Sequence, residues 1–254
     1  MIKYWPLIKK LALSEIKSRY TQSFLGYFWV ILNPFFQMLI MSFVFSNILG
    51  RVGTLGVPYS IFLYAGLLPW TFFISTVTSA MSELSGSASL IKKIYFPREI
   101  LIISTIMAKT VDFFLSTLIF VAMMILFQMD FHLNMLLFFP IFMIQTIFIF
   151  GLSLLLSAMN LFYRDVQYLM SLVLRLWFYV TPIIYAVEFF PEQYRWIFKI
   201  NPMSVFINAY RQVLFTNSPP SWTGLAVGTT ISILIFVASY RIFKKLEGVF
   251  ADVV

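Results

Sequence analysis

The chain has 254 residues, of which 61% are hydrophobic, 19% aromatic and only 11% charged, a composition that excludes an ordinary soluble domain and is typical of a protein with several membrane spans. Cysteine is absent and histidine occurs once, so a disulfide framework, a thiol nucleophile and a cysteine-based metal site are excluded. The formal net charge is +8, and its meaning depends on where the basic residues lie.

The first predicted element is an interfacial helix over residues 1–27. Helical spacing aligns Lys3, Lys10 and Lys17 along one side and gathers aromatic and aliphatic side chains on another. Lysines that reach lipid phosphates above a sunken apolar side are typical of an amphipathic helix in the membrane interface. Gly26 is expected to let the chain bend sharply from this helix into the first membrane span.

Six apolar runs are long enough to cross the hydrocarbon core as helices. They cover residues 28–49, 60–82, 101–127, 135–159, 167–187 and 222–243. Helices are predicted because the runs are continuous and every backbone group must be hydrogen-bonded within lipid. The chain is therefore predicted to be a single all-α integral membrane domain over residues 1–254.

The distribution of basic residues predicts the orientation of the spans. With the N-terminus inside, the predicted outer segments contain only Arg51, Arg195, Lys199 and Arg211 as basic residues, and the other loop lysines and arginines lie inside. Since cytoplasmic loops carry the excess of basic residues, both termini are predicted to be cytoplasmic. The positive charge then reflects membrane topology, and no nucleic-acid partner is expected.

The first connection with a strong sequence signal is the predicted inner loop over residues 83–99. Leu90, Ile91, Ile94 and Tyr95 recur at helical spacing before Pro97, which predicts a short amphipathic helix that ends before the proline. A cytoplasmic helix of this kind is suited to docking on a partner protein.

The second such connection is the predicted outer segment over residues 188–221. It is rich in aromatic residues and is interrupted at Asn201–Pro202, which predicts two short helices on either side of that break. They are too short and too charged to cross the membrane, so we expect them to re-enter it or to lie on its outer leaflet.

Several forms of chemistry are not expected of this chain. No Gly-Lys pair occurs anywhere in it, so it lacks the phosphate-binding loop with which many proteins bind ATP. The single histidine, His132, falls in a short predicted outer loop, where a solvated surface side chain is expected and metal binding is not. The chain is therefore predicted to be neither an enzyme nor a cofactor-binding protein.

Ionisable residues within the spans are candidates for function because their burial in lipid is costly. Lys109 and Asp112 are three residues apart on one predicted helix, which favours a local ion pair near the inner interface, although a coupling or transport role stays open. Arg175 lies within the fifth predicted span, and for it we leave open both packing against a neighbouring helix and a role in a conduit.

Two stripes of aromatic and polar side chains stand out on the first and fifth predicted spans. Such stripes often hold helices together. They also suit a sugar chain, whose ring faces lie on aromatic groups while its hydroxyls exchange hydrogen bonds with amides and hydroxyls. The stripe of the first span contains Trp29, Asn33, Phe36 and Gln37, and that of the fifth contains Tyr168, Ser171, Arg175, Phe178, Pro182 and Tyr185.

Short motifs spread over nearly the whole chain carry a resemblance to a known family. They are Arg19-Tyr20-Thr21-Gln22-Ser23-Phe24-Leu25-Gly26, Leu67-Leu68-Pro69-Trp70, Tyr95-Phe96-Pro97-Arg98-Glu99, Asn160-Leu161-Phe162-Tyr163-Arg164-Asp165-Val166, Thr181-Pro182-Ile183 and Asn201-Pro202-Met203. The chain resembles the membrane subunit of ABC exporters for O-antigen and related cell-surface polysaccharides or teichoic acids.

The resemblance implies a homodimer of six-span permeases in the bacterial inner membrane, joined by two copies of a separate subunit that binds ATP and Mg²⁺. The first and fifth spans would line a conduit for a lipid-linked polysaccharide, with Trp29, Asn33, Phe36, Gln37, Tyr168, Ser171, Arg175, Phe178 and Tyr185 as its candidate lining. The loop over residues 83–99 would contact the ATPase through Leu90, Ile91, Lys92, Lys93, Ile94, Tyr95, Arg98 and Glu99. The outer segment would form a periplasmic gate that includes Phe190, Tyr194, Trp196, Asn201 and Pro202.

Two alternative functions remain open. The first is the permease of an ABC exporter for drugs or small lipids. The second is an integral-membrane sugar transferase, which would need clustered carboxylates or a metal site at one interface, whereas the acidic residues of this chain are scattered singly. The sequence leaves open whether the cargo is an O-antigen, a teichoic acid or a capsular polymer.

Overall fold

The computed structural model describes residues 2–20, 26, 28–48, 56–216 and 218–253, and within these ranges the chain is helical with no strand. The prediction of an all-α protein is confirmed. Parts of the predicted features lie outside the described residues: residues 1, 21–25 and 27 of the interfacial helix, the last residue of the first predicted span, Arg51, and residue 217 of the predicted outer segment. The α-helices are α1 Trp5–Tyr20, α2 Phe28–Ser42, α3 Tyr59–Gly86, α4 Ala88–Lys93, α5 Glu99–Leu126, α6 Phe138–Phe162, α7 Asp165–Val180, α8 Trp196–Ile200, α9 Pro202–Phe215, α10 Trp222–Leu246 and α11 Phe250–Val253.

Helix α1 follows a short 3₁₀ turn, Ile2–Tyr4, and packs against α5. Ile8 and Ala12 are buried in this contact, whereas Lys3, Lys10 and Lys17 are exposed along the other side, as their spacing predicts. After α1, Gly26 has a φ of +49°, a left-handed conformation that glycine adopts without steric cost. Gly26 therefore has a backbone conformation that is compatible with the bend predicted before α2.

Helix α3 is the centre of the fold. It packs against α2, α5, α6, α7 and α9, and most of its residues are buried. Pro69 lies inside it, and the side chain of Gln145 donates a hydrogen bond to the Pro69 carbonyl at 2.8 Å. The hydroxyl of Tyr210 in turn donates to Gln145 Oε1 at 2.9 Å. This buried polar chain fixes α6 and α9 against the proline-containing turn of α3.

Helix α10 lies along α6 and also packs on α9. Two glycines permit these close approaches. A Cβ atom added at Gly151 of α6 would lie 2.7 Å from the Cα of Phe236, and one added at Gly228 of α10 would lie 3.0 Å from a methyl group of Val205. Backbones that approach this closely are typical of helix packing in membranes, where small residues occupy the crossing points.

Five helices within the described ranges are long and apolar enough to span a membrane: α2 with its π-helical continuation, α3, α5, α6 with the preceding 3₁₀ turn, and α10. They correspond to five of the six predicted spans. The fifth predicted span, residues 167–187, is wrong in extent, because α7 ends at Val180 and has 16 residues. At a rise of about 1.5 Å per residue it is roughly 24 Å long, shorter than the ~30 Å hydrocarbon core. Thr181 is extended because the residue before a proline avoids the helical region.

The outer segment contains two short helices, α8 and α9, separated at Asn201–Pro202, which confirms the predicted break. Asn201 Oδ1 accepts hydrogen bonds from the backbone N–H groups of Met203 at 3.1 Å and Ser204 at 3.4 Å, and Pro202 occupies the first helical position. An asparagine cap followed by proline is a strong start signal for a helix. Before α8 the chain forms 3₁₀ turns at Val187–Phe189 and Glu192–Tyr194.

Two smaller predictions need correction. The short helix of the predicted inner loop, α4, ends at Lys93, so Ile94 and Tyr95 lie outside it, and Ile94 is extended. His132 is not fully solvated, because its Nε2 lies 3.0 Å from the Val213 carbonyl oxygen and its side chain is half-buried where α9 packs nearby.

Candidate functional site

The amide face of α2 opens onto a small polar pocket of about 260 Å³ between α2, α3 and α5. From α2 it is lined by Trp29, Asn33 and Gln37, so the structure brings together three of the four residues predicted to share that face. Phe36 lies apart from the pocket with 49% of its surface exposed. The stripe predicted on α2 is thus divided between a pocket within the chain and an exposed aromatic surface.

The opposite wall of this pocket carries Lys109 and Asp112 from α5, with Thr71 and Ser75 from α3. Amides, hydroxyls and two charged groups of opposite sign therefore surround one polar space inside an otherwise apolar region. Such groups exchange hydrogen bonds readily with hydroxyl-rich ligands. Spacing within α5 indicated that Lys109 and Asp112 share a face, but it carried no signal that Asn33 and Gln37 lie across from them.

Helix α7 has an unusually open surface, since Leu174 is its only fully buried residue. Tyr168 is 76% exposed and Arg175 is also exposed, whereas Ser171 donates a hydrogen bond to the Tyr168 carbonyl at 2.7 Å. Phe178 instead packs within the chain, with its ring 5.6 Å from that of Trp70. The predicted stripe on α7 therefore has an exposed half and a half that contacts α3.

The C-terminal end of that stripe joins the outer segment. Tyr185 lies outside α7, with its ring 4.9 Å from Phe190 and 6.2 Å from Phe198, and its hydroxyl donates to the Tyr179 carbonyl at 2.7 Å. Tyr194 and Trp196, the other aromatic residues predicted for a gate, are 50% and 58% exposed.

Asn201 fixes the end of α7 to the start of α9. Its Oδ1 accepts a hydrogen bond from Trp177 Nε1 at 2.9 Å, and its Nδ2 donates to Thr181 Oγ1 at 3.0 Å. Asn201 thus joins the start of α9 to the end of α7 through two side-chain hydrogen bonds.

Arg211 of α9 is a further key residue at the predicted outer end, although the sequence indicated only that it is a basic residue outside the spans. It is 2% exposed, and its guanidinium donates to the carbonyls of Pro182 at 2.5 Å, Ile183 at 2.6 Å and Phe62 at 3.1 Å. The guanidinium carbon also lies 3.6 Å from the centre of the Phe62 ring. A Cβ atom added at Gly66 would lie 2.7 Å from Arg211 Nη2, so this glycine makes room for the arginine.

Arg211 remains charged in this setting. Burial lowers the pKa of its guanidinium to about 9, against the opposing influence of Tyr59 and Glu188. The side chain therefore carries a positive charge at neutral pH, while no carboxylate of the described residues lies within ion-pair distance of it.

The predicted docking loop divides into exposed and buried residues. Lys92, Lys93, Ile94 and Tyr95 are exposed, with Ile94 at 55% and Tyr95 at 91%. Leu90 is half-buried and Ile91 is 2% exposed. Arg98 and Glu99 are buried at 7% and 4% exposure. A partner that approaches this loop meets the first group directly and not the last.

Arg98 and Glu99 are held by the C-terminal part of the chain. Lys244 Nζ donates to Glu99 Oε2 and to Glu247 Oε2, each at 2.8 Å. Glu247 Oε1 accepts from the Arg98 backbone N–H at 2.7 Å, and the Arg98 side chain donates to the Phe96 carbonyl. The sequence distance between Glu99 and Lys244 is 145 residues, so no local pattern indicates this cluster.

Helix α11 completes this inner end. Its first residue, Phe250, is fully buried, with its ring 5.2 Å from Phe243 and 6.2 Å from Phe162, and the helix contacts α4 and α6. The docking loop is therefore braced by α11 as well as by the end of α10.

These features define a multi-span helical membrane protein with an open helical surface, an exposed segment at residues 92–95 and, within the described residues, no cluster of histidine and acidic side chains able to hold a metal ion. The model of the ABC-2 type transporter family matches residues 6–215. The chain belongs to this family of ABC transporter membrane proteins.

Named relatives match over almost their full length. An O-antigen export system permease protein RfbA from Klebsiella pneumoniae is 34% identical over 241 residues, which cover 94% of this chain and 91% of the relative. The RfbA permease from Myxococcus xanthus is 28% identical over 255 residues, with 99% and 96% covered. The polysialic acid transport protein KpsM from Escherichia coli is 25% identical over 249 residues, with 92% of each chain covered.

The family comparison confirms the resemblance drawn from the motifs. It does not test the individual residues assigned to a conduit, a docking loop and a gate, which remain predictions placed in the structure as described above.

Proposed function

We propose that this chain is the membrane subunit of an ATP-driven exporter that moves a lipid-linked O-antigen-type polysaccharide from the cytoplasm to the periplasm. The observation that carries the proposal is the 34% identity to an O-antigen export permease across nearly the whole of both chains. A match that covers nearly all of both chains supports a shared transport architecture, whereas a match confined to one segment would support only a shared fold.

The proposed assembly is a homodimer of this chain with two copies of an ATP-binding subunit, in the bacterial inner membrane and with both termini cytoplasmic. ATP and Mg²⁺ would be bound by that subunit, because this chain has no Gly-Lys pair from which to build a phosphate-binding loop. Membership of a family of ABC transporter membrane proteins supports the partner, and the concentration of lysine and arginine in alternate loops supports the orientation.

The surfaces of α2 and α7 support a conduit at the homodimer interface. Both helices pack on α3, and both leave large aromatic side chains uncovered, including Trp29 at 48% and Tyr168 at 76% exposure. A second copy of the chain placed against these helices would enclose aromatic surface, and the polar α2 pocket, between two subunits. Aromatic faces with nearby amides and hydroxyls match the alternating apolar and polar surfaces of a sugar chain.

At the predicted inner end, exposed and buried residues of the docking loop are assigned different roles in coupling. We assign direct contact with the ATPase to the exposed residues Lys92, Lys93, Ile94 and Tyr95. The buried residues Arg98 and Glu99 are assigned a positioning role, because Lys244 and Glu247 hold them in place. A push on the docking loop would then pass into α5 and into the end of α10 together.

The proposal is tested by purifying the full chain with its ATP-binding partner from native membranes and identifying the polymer that accompanies it. We expect a lipid-linked O-antigen-type glycan. Recovery of a drug-like molecule or a simple phospholipid as the only transported cargo would refute polysaccharide export. Recovery of an acidic capsular glycan would support the second candidate cargo, which the 25% identity to a polysialic acid transport protein favours.

The conduit assignment has its own test in the Trp29→Ala variant. We expect export of the polymer to fall while the amount of assembled complex stays unchanged, because Trp29 is half-exposed and lines the α2 pocket. Phe28→Ala is the matched control, since Phe28 is 65% exposed on the same helix and lies outside the pocket. Equal export by the two variants would remove Trp29 from the conduit.

A further inference from the structure

A second and larger cavity lies at the outer end of the molecule, apart from the proposed conduit pocket. It has a volume of about 590 Å³ and is enclosed by residues 186–199, α9 and the start of α10. This volume falls within the range of sites that bind small molecules or headgroups. None of the residues assigned to the conduit lines it.

The charged side chains around the cavity are predominantly positive. Arg195, Lys199 and Arg211 line it, and Glu188 is the only acidic residue that does. Arg195 forms an ion pair at 3.7 Å with Glu192, which does not line the cavity. Even with Glu192 included, the three cations outnumber the two carboxylates. Positive charge concentrated in a partly enclosed space raises the local potential for anions.

Donors without acceptors accompany this charge. Among the described residues, the buried Arg211 Nε has no hydrogen-bond acceptor, and Lys199 has no carboxylate within ion-pair distance. A buried donor that is left unpaired costs about 1–3 kcal/mol. An anion seated in the cavity would add negative charge to that of Glu188, which acts on Arg211 without lying within ion-pair distance of it.

The start of α10 adds further donors. Ser221 caps this 25-residue helix, the first turn contains no acidic residue, and Ser221, Thr223 and Gly224 line the cavity. Backbone N–H groups and the positive end of the helix dipole favour an anion at such a terminus. They act here together with the buried guanidinium of Arg211 on the α9 side.

The surroundings favour a lipid as the source of the anion. Val205, Leu225 and Val227 give one side of the cavity an apolar lining. Trp222, at the first position of α10, is 62% exposed, and tryptophan is enriched at the level of lipid headgroups. A phosphate with an attached acyl or prenyl chain satisfies the cations and the apolar wall at once, whereas free phosphate satisfies only the cations.

We propose that this outer cavity binds the phosphate group of an anionic lipid. The phosphate would be seated between Arg211, Lys199 and the start of α10, with the lipid chain along the apolar wall. Anionic phospholipid and the phosphate-bearing anchor of a lipid-linked glycan share this chemistry. The site would hold such a lipid at the outer leaflet whether or not the chain exports a polysaccharide.

Binding is measured by native mass spectrometry of the purified full chain titrated with phosphatidylglycerol. Phosphatidylcholine serves as the net-neutral control lipid, and inorganic phosphate serves as the free anion. We expect phosphatidylglycerol to bind at least tenfold more tightly than phosphatidylcholine and to resist displacement by an equal concentration of inorganic phosphate. Comparable binding of the two lipids, or displacement by inorganic phosphate alone, would overturn the proposal.

Two variants locate the site. Lys199→Gln is expected to weaken phosphatidylglycerol binding by about tenfold, the usual worth of one charged hydrogen bond, while Lys245→Gln removes an exposed charge elsewhere and should have no effect. Gly224→Leu adds a bulky side chain at the lining of the cavity, where a Cβ has ordinary contacts with Ser221, and should weaken binding. Unchanged binding in Gly224→Leu, or an equal loss in both lysine variants, would also overturn the proposal.

The same titration with an undecaprenyl pyrophosphate distinguishes the anchor of a lipid-linked glycan from bulk phospholipid as the bound lipid. Tighter binding of this lipid than of phosphatidylglycerol would extend the site to the anchor of an exported glycan, whereas equal binding would assign it to bulk phospholipid. Each result supports the phosphate site. Failure of the polysaccharide proposal would leave both measurements interpretable, because neither one depends on export.

Discussion

The predicted inner and outer ends of the molecule both use a cation to join segments that are far apart in sequence, but the groups that surround the cation differ. At the inner end, Lys244 lies between two carboxylates, those of Glu99 and Glu247. At the outer end, Arg211 is held by three backbone carbonyls and the face of Phe62. The inner cation is therefore paired with carboxylates, whereas the outer one has no carboxylate within ion-pair distance among the described residues.

This difference indicates different tasks for the two ends. A completed ion-pair cluster resists separation of its parts, which suits a joint that transmits force from a docked partner. Carbonyl oxygens carry only partial charge, so they orient a guanidinium without cancelling it. The outer end is thereby fixed in geometry and still attracts an anion.

The strongest test of the comparison is Arg211→Met. Three buried carbonyls would lose their donor, and we expect a loss of about 3 kcal/mol or more in the free energy of unfolding. The measurement is thermal unfolding of the purified chain in detergent. Lys199→Met, which removes an exposed cation from the same end, is the control and should leave stability nearly unchanged. A loss of the same size in both variants would contradict the structural role of Arg211.

A smaller loss is expected from Gly66→Ala. The added methyl group would lie 2.7 Å from Arg211 Nη2 and 3.2 Å from the Ile183 carbonyl oxygen, so the guanidinium must shift. Overpacking of this kind costs about 1–3 kcal/mol. Gly86→Ala on the same helix is the matched control, because nothing lies within 4 Å of a Cβ there. The measurement is thermal unfolding of the two variants in parallel. Equal stability of the two would contradict the close packing of Arg211 on Gly66.

At the inner end, Lys244→Met should cost about 1–2 kcal/mol in stability, less than Arg211→Met, because the Lys244 side chain is 34% exposed and water partly replaces its partners. Coupling should suffer more than stability: we expect ATP hydrolysis by the assembled exporter to continue with reduced transport. The control is Lys245→Met at the exposed neighbouring position. Transport and hydrolysis falling in equal proportion would argue against a positioning role.

Tyr95→Ala should have the smallest effect on the chain itself. Tyr95 is 91% exposed, and exposed substitutions usually change stability by less than about 0.5 kcal/mol. We expect weaker binding of the ATP-binding subunit, measured by co-purification. Tyr163→Ala, at a 72% exposed position in another predicted inner loop, is the control. If the partner is retained equally by both variants, Tyr95 is not part of the docking surface.

The long helices were predictable because their signal is local. The apolar run over residues 60–82 became α3, Tyr59–Gly86, and the run over 101–127 became α5, Glu99–Leu126. The break at Asn201–Pro202 was equally predictable from the sequence, since capping and proline geometry act within a few residues. Pro182 was a local signal that α7 ends early, but the length of the apolar run predicted a span that continued to residue 187.

The joints between helices were not predictable from spacing. Arg211 meets Phe62 across 149 residues, and Lys244 meets Glu99 across 145, so these partners become neighbours only once the helices have packed. Asn33 and Lys109 likewise share a pocket because α2 lies on α5. The predicted site residues were identified by chemical type, but which of them are buried, exposed or paired is a property of the packed structure.

The central claim is that this chain forms the membrane path while a separate subunit supplies the energy. It is tested most directly in proteoliposomes that contain the full chain, its ATP-binding partner and a lipid-linked O-antigen-type polysaccharide. The prediction is that the polymer crosses the bilayer only when ATP and the partner are both present, and that the chain alone hydrolyses no ATP. Transport that is independent of the partner, or ATP hydrolysis by the chain alone, would contradict the account.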